Sequence, residues 1–354
     1  MEIKISNRVR LFLGVLFWLL LPLSEFVSAA DHPGRIAFLM GPDVYSMKPD
    51  GTDVKQLTNL GSQNVAASWE SWSFDGAQIV FVEYPPNSAP PQLWLMNADG
   101  SNQHRVFNDG KFQDAAPSFA PDGSHLVFTR CQPTWPADGT SCAIYRVNPD
   151  GSGLAAITKF ALDVNYWEPV YSPDGRTIAM DAFGWQGFAS AIWLMDADGL
   201  HIRRLTPGAV GAFNPAWSAD GKKIGFATNL HGDVFFFNEE IATINANDSG
   251  LTFITHNNKN WHGYFAAPHD FAPSSSPDST ELTFERDSPQ YKTSGIYVVG
   301  IDGRGLSLRL QFRGARRPVP RLTGKSQLAR DSNARDILKR IEAGGFRPRW
   351  GAAQ

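Results

Sequence analysis

A mostly apolar run that ends in a turn containing Asp and Gly occurs six times along the chain. "IWLMDADGLHIRRLT" at 192–206 is nearly repeated by "LWLMNADGSNQHRVF" at 93–107, and four further copies begin at residues 44, 144, 241 and 296. Five of the six copies follow a second repeated phrase, of which "YSPDGRTIAMDA" at 171–182 is typical. Period-two alternation bounded by turn residues indicates short strands joined by tight turns.

Each repeat predicts four antiparallel strands. The first strand ends in a turn such as Ser-Pro-Asp-Gly, and the second carries the alternating run that follows. The third and fourth strands flank a second turn, which is Asp-Ala-Asp-Gly in the copy at 192–206. Asp caps the backbone of such turns with its side chain, and Gly accepts a positive φ. The repeat length of about 46–58 residues is typical of propeller blades. We therefore predict an all-β fold, a six-bladed β-propeller of four-stranded blades.

The first copy lacks the innermost strand that precedes the others. The segment "GFRPRWG" at 345–351 matches the inner-strand pattern of "NPAWS" at 214–218. We therefore expect the C-terminal strand to join the N-terminal blade and close the ring, which leaves no open edge. Between the last repeat and this strand, at about 312–344, the pattern "SNARDILKRIE" (332–342) predicts a basic helical insertion.

The N-terminal residues have the pattern of a signal peptide. Three basic residues precede the apolar run "LFLGVLFWLLLPL" and the small-residue site "VSA", with cleavage expected after Ala29. The alternative is an uncleaved anchor. We predict a signal peptide at 1–29, a propeller domain at 30–354, and a periplasmic or secreted location. In such a compartment Cys131 and Cys142, at the base of one hairpin, are expected to form a disulfide; the alternative is two free thiols.

The pattern "PxWSPDGxxIAF … IWLMDADGxxxRRLT" resembles that of the TolB-like propeller family, with WD-like repeats over about residues 34–351. The resemblance implies a six-bladed propeller. TolB itself carries an N-terminal α/β domain before its propeller and reaches partners in the cell envelope. Because this chain passes from the signal peptide directly into a strand at Arg35, we expect it to lack that N-terminal domain.

The two faces of the predicted propeller differ. The short, uniform turns share one face, and the long, irregular loops share the other. The loops are rich in aromatic residues, which suggests a recognition surface. The alternative is that these rings fold inward and plug the channel. The predicted binding residues are Trp69, Trp135, Tyr166, Trp167, Trp185, Phe236, Trp261 and Tyr264.

Polar side chains just before the inner strands are predicted to converge at the channel mouth, together with Arg347. Carboxylates in a ring bind cations, so a channel cation is one interpretation, and no other cofactor is expected. The alternative is that they are solvated or paired with Arg347. His256, His262 and His269 lie near Asp270, but their spacing matches no standard metal site, and the question of a metal stays open. The channel-mouth residues are Glu70, Asp114, Glu168, Asn214, Asp270 and Arg347.

Charge is unevenly distributed along the chain. Residues 304–349 contain 13 Lys and Arg against 3 Asp and Glu, whereas residues 31–303 contain 16 against 30. The basic segment either complements the acidic disc of the propeller or is attracted to an anionic surface or an acidic partner. Export and a net charge of −3 argue against nucleic acid as a partner.

The motifs G-x-S-x-G, H-E-x-x-H and Walker A do not occur in the sequence, which favours a binding protein over an enzyme. The leading hypothesis is an exported, monomeric propeller scaffold, with no transmembrane span in the mature chain. It would bind a protein or peptide partner in the cell envelope through its loop-rich aromatic face. The alternative is a carbohydrate-binding or lyase-like propeller, whose rings would stack on sugars.

Overall fold

Six antiparallel sheets of four strands each build the fold. The computed structural model describes residues 28–32, 35–86, 89–133, 141–161, 164–184, 190–207, 211–229, 239–257, 268–288 and 293–313. Within each sheet the strands lie side by side in chain order. Each sheet is one blade, which confirms the prediction of a six-bladed β-propeller.

The strand bounds follow the predicted repeats. Blade 1 contains β1 (Ser28–His32), β2 (Arg35–Met40), β3 (Asp43–Met47) and β4 (Lys55–Gln56). Blade 2 contains β5 (Ala66–Trp72), β6 (Gln78–Tyr84), β7 (Gln92–Asn97) and β8 (His104–Arg105). Blade 3 contains β9 (Gln113–Phe119), β10 (Leu126–Cys131), β11 (Cys142–Val147) and β12 (Ala155–Ala156). Blade 4 contains β13 (Val164–Tyr171), β14 (Thr177–Gly184), β15 (Ala191–Asp196) and β16 (Arg203–Arg204). Blade 5 contains β17 (Ala212–Trp217), β18 (Lys223–Thr228), β19 (Glu240–Asn245) and β20 (Thr252–Phe253). Blade 6 contains β21 (His269–Ser275), β22 (Glu281–Ser288), β23 (Thr293–Gly300) and β24 (Ser307–Arg313). One short 3-10 helix spans Gly61–Gln63. No helix in the described part of the chain has the length and apolarity of a membrane span.

The ring closes between the last blade and the first. Successive inner strands contact one another around the axis, and β21 contacts β1. The sequence assigned the inner position of blade 1 to residues 345–351, but the structure places Ser28–His32 there, paired with β2. A strand that is separated from its partner by two residues loses far less entropy on pairing than one from the far end of the chain. Residues 345–351, and 314–344 of the predicted insertion, lie outside the described residues; β24 extends to Arg313.

Apolar side chains fill each of the six contacts between neighbouring blades. Leu39 and Val44 of blade 1, for example, pack with Ile79 and Phe81 of blade 2, and an equivalent cluster lies at every other contact. Because both faces of a blade are covered, its middle strands have buried residues on both sides. This explains the near absence of polar positions in the repeated phrases.

Cys131 and Cys142 form the predicted disulfide. Cys131 ends β10 and Cys142 begins β11, and the two residues lie directly opposite each other in the antiparallel pair. Both are fully buried beside Trp167. The bond therefore closes the long loop of blade 3 at its base.

Replacing both cysteines with alanine is expected to lower the free energy of unfolding by about 2–3 kcal/mol, because the bond constrains the unfolded chain. The sequence separation of 11 residues keeps this effect modest. Urea denaturation of the double variant, and of the wild type with and without reductant, measures it. An unchanged midpoint in the double variant would show that the bond does not restrict the unfolded state.

Candidate functional site

A bulge interrupts each of β5, β9, β13, β17 and β21 at the same level of the channel. The register against the neighbouring strand shifts at this point. The bulged residue in each strand has a positive φ between 48° and 53°, a backbone conformation uncommon outside glycine. These residues are Trp69, Ala116, Glu168, Asn214 and Ala272. The bulges divide the channel into a half on the loop side and a half on the turn side.

A pocket of about 300 Å³ occupies the half on the turn side. Its inner end is formed by the five bulges, and its mouth by the turns that follow the inner strands. We call it the axial pocket. Between these levels its wall contains the residue after each bulge, which is Glu70 in β5 and proline in the other four strands. The residues at the mouth are Phe74, Pro173, Ala219 and Pro277.

The indole of Trp69 closes the inner end of the axial pocket. It starts from blade 2 but packs against apolar clusters at the contacts of blades 2 and 3 and of blades 5 and 6. It also lies edge-on to Trp167 of blade 4, with ring centroids 6.1 Å apart. A side chain that reaches from blade 2 to blade 6 must cross the channel. A bulky residue with positive φ is strained, and here that strain coincides with the closure of the pocket.

Hydrogen bonds link the bulges of successive blades. The Glu168 backbone N–H donates to Thr129 Oγ1 of blade 3 at 3.1 Å. Glu168 Oε2 accepts from the backbone N–H and the side-chain amide of Asn214, at 2.9 and 2.6 Å. Asn214 Oδ1 in turn accepts from the Ala272 N–H at 3.4 Å. These contacts fix the floor of the pocket across blades 3 to 6.

Glu168 shares this region with a second buried carboxyl, that of Asp181 on β14. Burial raises the pKa of Glu168 to about 7, although the hydrogen bonds from Asn214 lower it. Burial, and next the charge of Glu168, raise the pKa of Asp181 well above its usual value. Two adjacent carboxyls without a cation hold one proton between them. Because folding raises the pKa of Glu168, the contribution of this carboxyl pair to the free energy of unfolding is lost as the pH rises through about 7.

The structure places the predicted aromatic residues as follows. Trp69 closes the channel, Trp167 is buried beside the disulfide, and Tyr166 packs at the contact of blades 3 and 4. For Trp69 the inward-folded alternative therefore describes the structure, and none of these three forms an exposed rim. The remaining predicted binding residues lie outside the described residues: Trp135, Trp185, Phe236, Trp261 and Tyr264.

The predicted channel-mouth residues do not form one ring. Glu70, Glu168 and Asn214 line the axial pocket, whereas Asp114 and Asp270 lie in their blades. Asp114 is bidentate to Arg130, and Asp270 is bidentate to Arg286. The position of each residue relative to the bulge of its strand determines whether its side chain lines the pocket or lies within the blade. Asp114 and Asp270 precede it by two residues, Glu168 and Asn214 occupy it, and Glu70 follows it. Arg347 lies outside the described residues.

Sequence reasoning missed the two arginines. Each stands 16 residues after its aspartate, at the equivalent position of the second strand, and that shared spacing was the available signal. His269, which had been considered for a metal, instead contacts Glu239 through Nδ1 at 2.5 Å and is buried. The part of the chain that the structure describes contains no cluster of three or more potential metal ligands. His262 lies outside it, and His256 belongs to no such cluster.

The fold is a six-bladed β-propeller with an axial pocket, and comparisons with known proteins show what it resembles. No family model matches the chain. It is 26% identical to an uncharacterized protein of Agrobacterium fabrum over 47% of this chain and 56% of that one. It is 28% identical to a TolB homolog of Chlorobium chlorochromatii over 43% of this chain and 31% of that one. The matches thus span about half or less of these relatives. TolB of Acinetobacter baumannii has a TM-score of 0.59 at 20% identity, covering 78% of this chain and 62% of that structure. The chain is a six-bladed β-propeller, and it is similar to TolB proteins in part of its sequence and in its fold.

Proposed function

We propose that the chain is an exported propeller scaffold of the cell envelope that takes an extended segment of a protein partner into the axial pocket. One observation carries the proposal: Trp69 of blade 2 lines the inner end of the axial pocket and packs against the cluster between blades 5 and 6, while the mouth of the pocket lies at the turns that follow the inner strands. The predicted signal peptide and the likeness to TolB, a protein that reaches envelope partners, support the location and the class of partner.

The shape of the pocket supports a segment rather than a domain as the bound element. A volume of about 300 Å³ accommodates a few side chains. Phe74 at the mouth is 44% exposed, and the other mouth residues are small or prolines, so an apolar collar surrounds an interior that contains carboxyls. Apolar contact around a few fixed polar groups is typical of peptide recognition.

The proposal assigns binding to the face opposite to the one that the sequence indicated. The aromatic loops are still a predicted recognition surface, and five of their eight residues lie outside the described residues. The two faces can be separated by experiment, because Ala219 is exposed at the pocket mouth and Lys159 is exposed on a loop of the other face.

A photo-crosslinking amino acid placed at residue 219 of the full chain, in its native cells, is expected to capture an envelope protein. The same group at residue 159 is the matched control, since both sites are exposed and lie outside the strands. Mass spectrometry of the crosslinked peptide identifies the captured segment. Crosslinks from residue 159 alone would overturn the proposal in favour of the loop face.

A further inference from the structure

We infer that the axial pocket binds a cationic group of the partner segment, an α-ammonium or a Lys or Arg head group, in exchange for a proton held between Glu168 and Asp181. This inference rests on the proposed function, because it names the chemistry that the same pocket would recognise. It also implies that pH regulates binding, since the affinity of the pocket for the partner segment would depend on pH.

The lining of the pocket is selective for positive charge. Glu70 and Glu168 both line it and are both buried, 2% and 6% exposed. No Lys, Arg or His occurs among the lining residues that the structure describes. Carboxylates in a partly dry cavity attract a cation much more strongly than they would in water. An anionic segment would meet only like charge there.

Glu168 is held in place for this role. Its Oε2 accepts two hydrogen bonds from Asn214, which fixes the carboxyl at the pocket floor. Behind it, Asp181 Oδ2 accepts from Ser190 Oγ at 3.2 Å, while Asp181 Oδ1 has no protein donor among the described residues. Asp181 is 1% exposed. A proton between the two carboxyls satisfies this buried oxygen, whose desolvation would otherwise be uncompensated.

The surrounding charges do not replace that proton. Arg130 is already bidentate to Asp114, and its remaining nitrogen binds Asp109 at 2.8 Å. Arg146 and Asp196 are exposed. The other charged groups on the strands packed against β13 and β14 are Asp114, Arg130, Arg146 and Asp196, and Glu70 lines the same pocket from β5. None of these groups therefore supplies a positive charge to the carboxyl pair of Glu168 and Asp181. A cation that binds the pair would have to enter through the axial pocket.

The exchange balances in charge and atoms. Before binding, the pair holds one proton and carries one negative charge. When the cationic group enters, the proton leaves to solvent, and the pair carries two negative charges against one positive charge. No bond other than the O–H bond is broken. While the pair holds this proton, the proton must be displaced on binding, so affinity rises as the pH rises through the raised pKa of Glu168, about 7.

The test uses the full chain and two peptides of matched shape. The probe is Lys-Lys-Lys amide, and the control is the acetylated norleucine tripeptide amide, which has the same stems without the charges. Calorimetric titration at pH 6 and pH 8, in buffers of different ionisation enthalpy, gives the affinity and the protons released. We expect Lys-Lys-Lys amide to bind about tenfold more tightly at pH 8 than at pH 6, one pKa unit corresponding to a factor of ten. We expect proton release at pH 6 and no binding of the norleucine peptide.

Two variants and one control distinguish proton exchange at the Glu168–Asp181 pair from simple attraction between the negative pocket and a cation. Asp181→Asn keeps the shape but cannot share the proton, so binding should persist with a reduced dependence on pH. Asp302→Asn, an exposed aspartate in an outer turn, is the matched control and should behave as wild type. Glu70→Gln should weaken binding by a similar factor at both pH values. Thermal melting verifies that each variant is folded.

The outcomes distinguish this inference from the proposed function. Binding of Lys-Lys-Lys amide that is independent of pH, or equal binding of the norleucine peptide, would overturn the inference. Absence of tri-lysine binding together with crosslinks at residue 219 would overturn the cationic ligand and leave the pocket as a partner site. Absence of crosslinks at residue 219 would remove the proposed function itself.

Discussion

Replacing Gly100 with alanine is expected to lower the free energy of unfolding by about 3 kcal/mol or more, through left-handed backbone strain and a steric clash. Gly100 lies in the outer turn of blade 2 with φ +85°. A Cβ at this position would lie 2.5 Å from the carbonyl oxygen of Leu57 in blade 1. Because the obstacle is backbone rather than a flexible side chain, the two blades would have to separate.

The matched control is Gly123→Ala, in a Ser/Ala-x-Asp-Gly turn. Its φ is +68°, and a Cβ there would have no atom within 4 Å. The loss should be about 1 kcal/mol, from backbone strain alone. Urea denaturation of both variants measures the difference. Equal losses would show that the close approach of blades 1 and 2 contributes nothing.

Replacing Arg130 with leucine is expected to lower the free energy of unfolding by about 3–5 kcal/mol, the typical result of leaving a buried charge without its partner. The guanidinium is 3% exposed and Asp114 is fully buried. Their two hydrogen bonds are 2.7 and 3.0 Å long, and Phe107 and Phe112 lie 5.0 Å from the guanidinium carbon.

The second substitution Asp114→Asn in the Arg130→Leu background should recover a large part of the loss, because no unpaired charge then remains buried. Arg176→Leu, at an exposed arginine in a turn, should change the unfolding free energy by less than about 0.5 kcal/mol. Guanidinium chloride denaturation compares the four proteins. If the double variant were no more stable than Arg130→Leu, the loss would come from packing rather than from charge.

The repeated phrases predicted the blades correctly because each strand is bounded by a local signal. Gly100 and Gly123 stand at turns where φ must be positive, and this requirement is visible in the sequence. The closing strand was harder to assign. Residues 345–351 match the inner-strand pattern, but Ser28–His32, which do not, pair with β2 in the structure. Ser28–His32 lie only two residues from β2, although Ser28 and Ala29 also belong to the predicted signal peptide, and the pairing of residues 345–351 stays a prediction because they lie outside the described residues.

The candidate site was predicted less well because it depends on the bulges. Glu168 and Asn214 were identified as channel residues, and they line the pocket. Asp114 was placed in the same set, yet a difference of two residues relative to the bulge directs it to Arg130. Trp69 was expected at a rim but crosses the channel. A positive φ at a non-glycine residue leaves no signature in a single sequence, so these orientations required the structure.

The closed succession of blade contacts has a consequence for association between molecules. Ile36, Phe38 and Met47 of blade 1 pack against Ile296 and Phe312 of blade 6. If the ring opens there, one molecule presents both apolar faces, and each is complementary to the opposite face of another copy. Such head-to-tail contacts do not close by themselves. Domain-swapped oligomers that grow with concentration are therefore the expected failure of this fold, and the packing of blade 1 against blade 6 is the contact that guards against it.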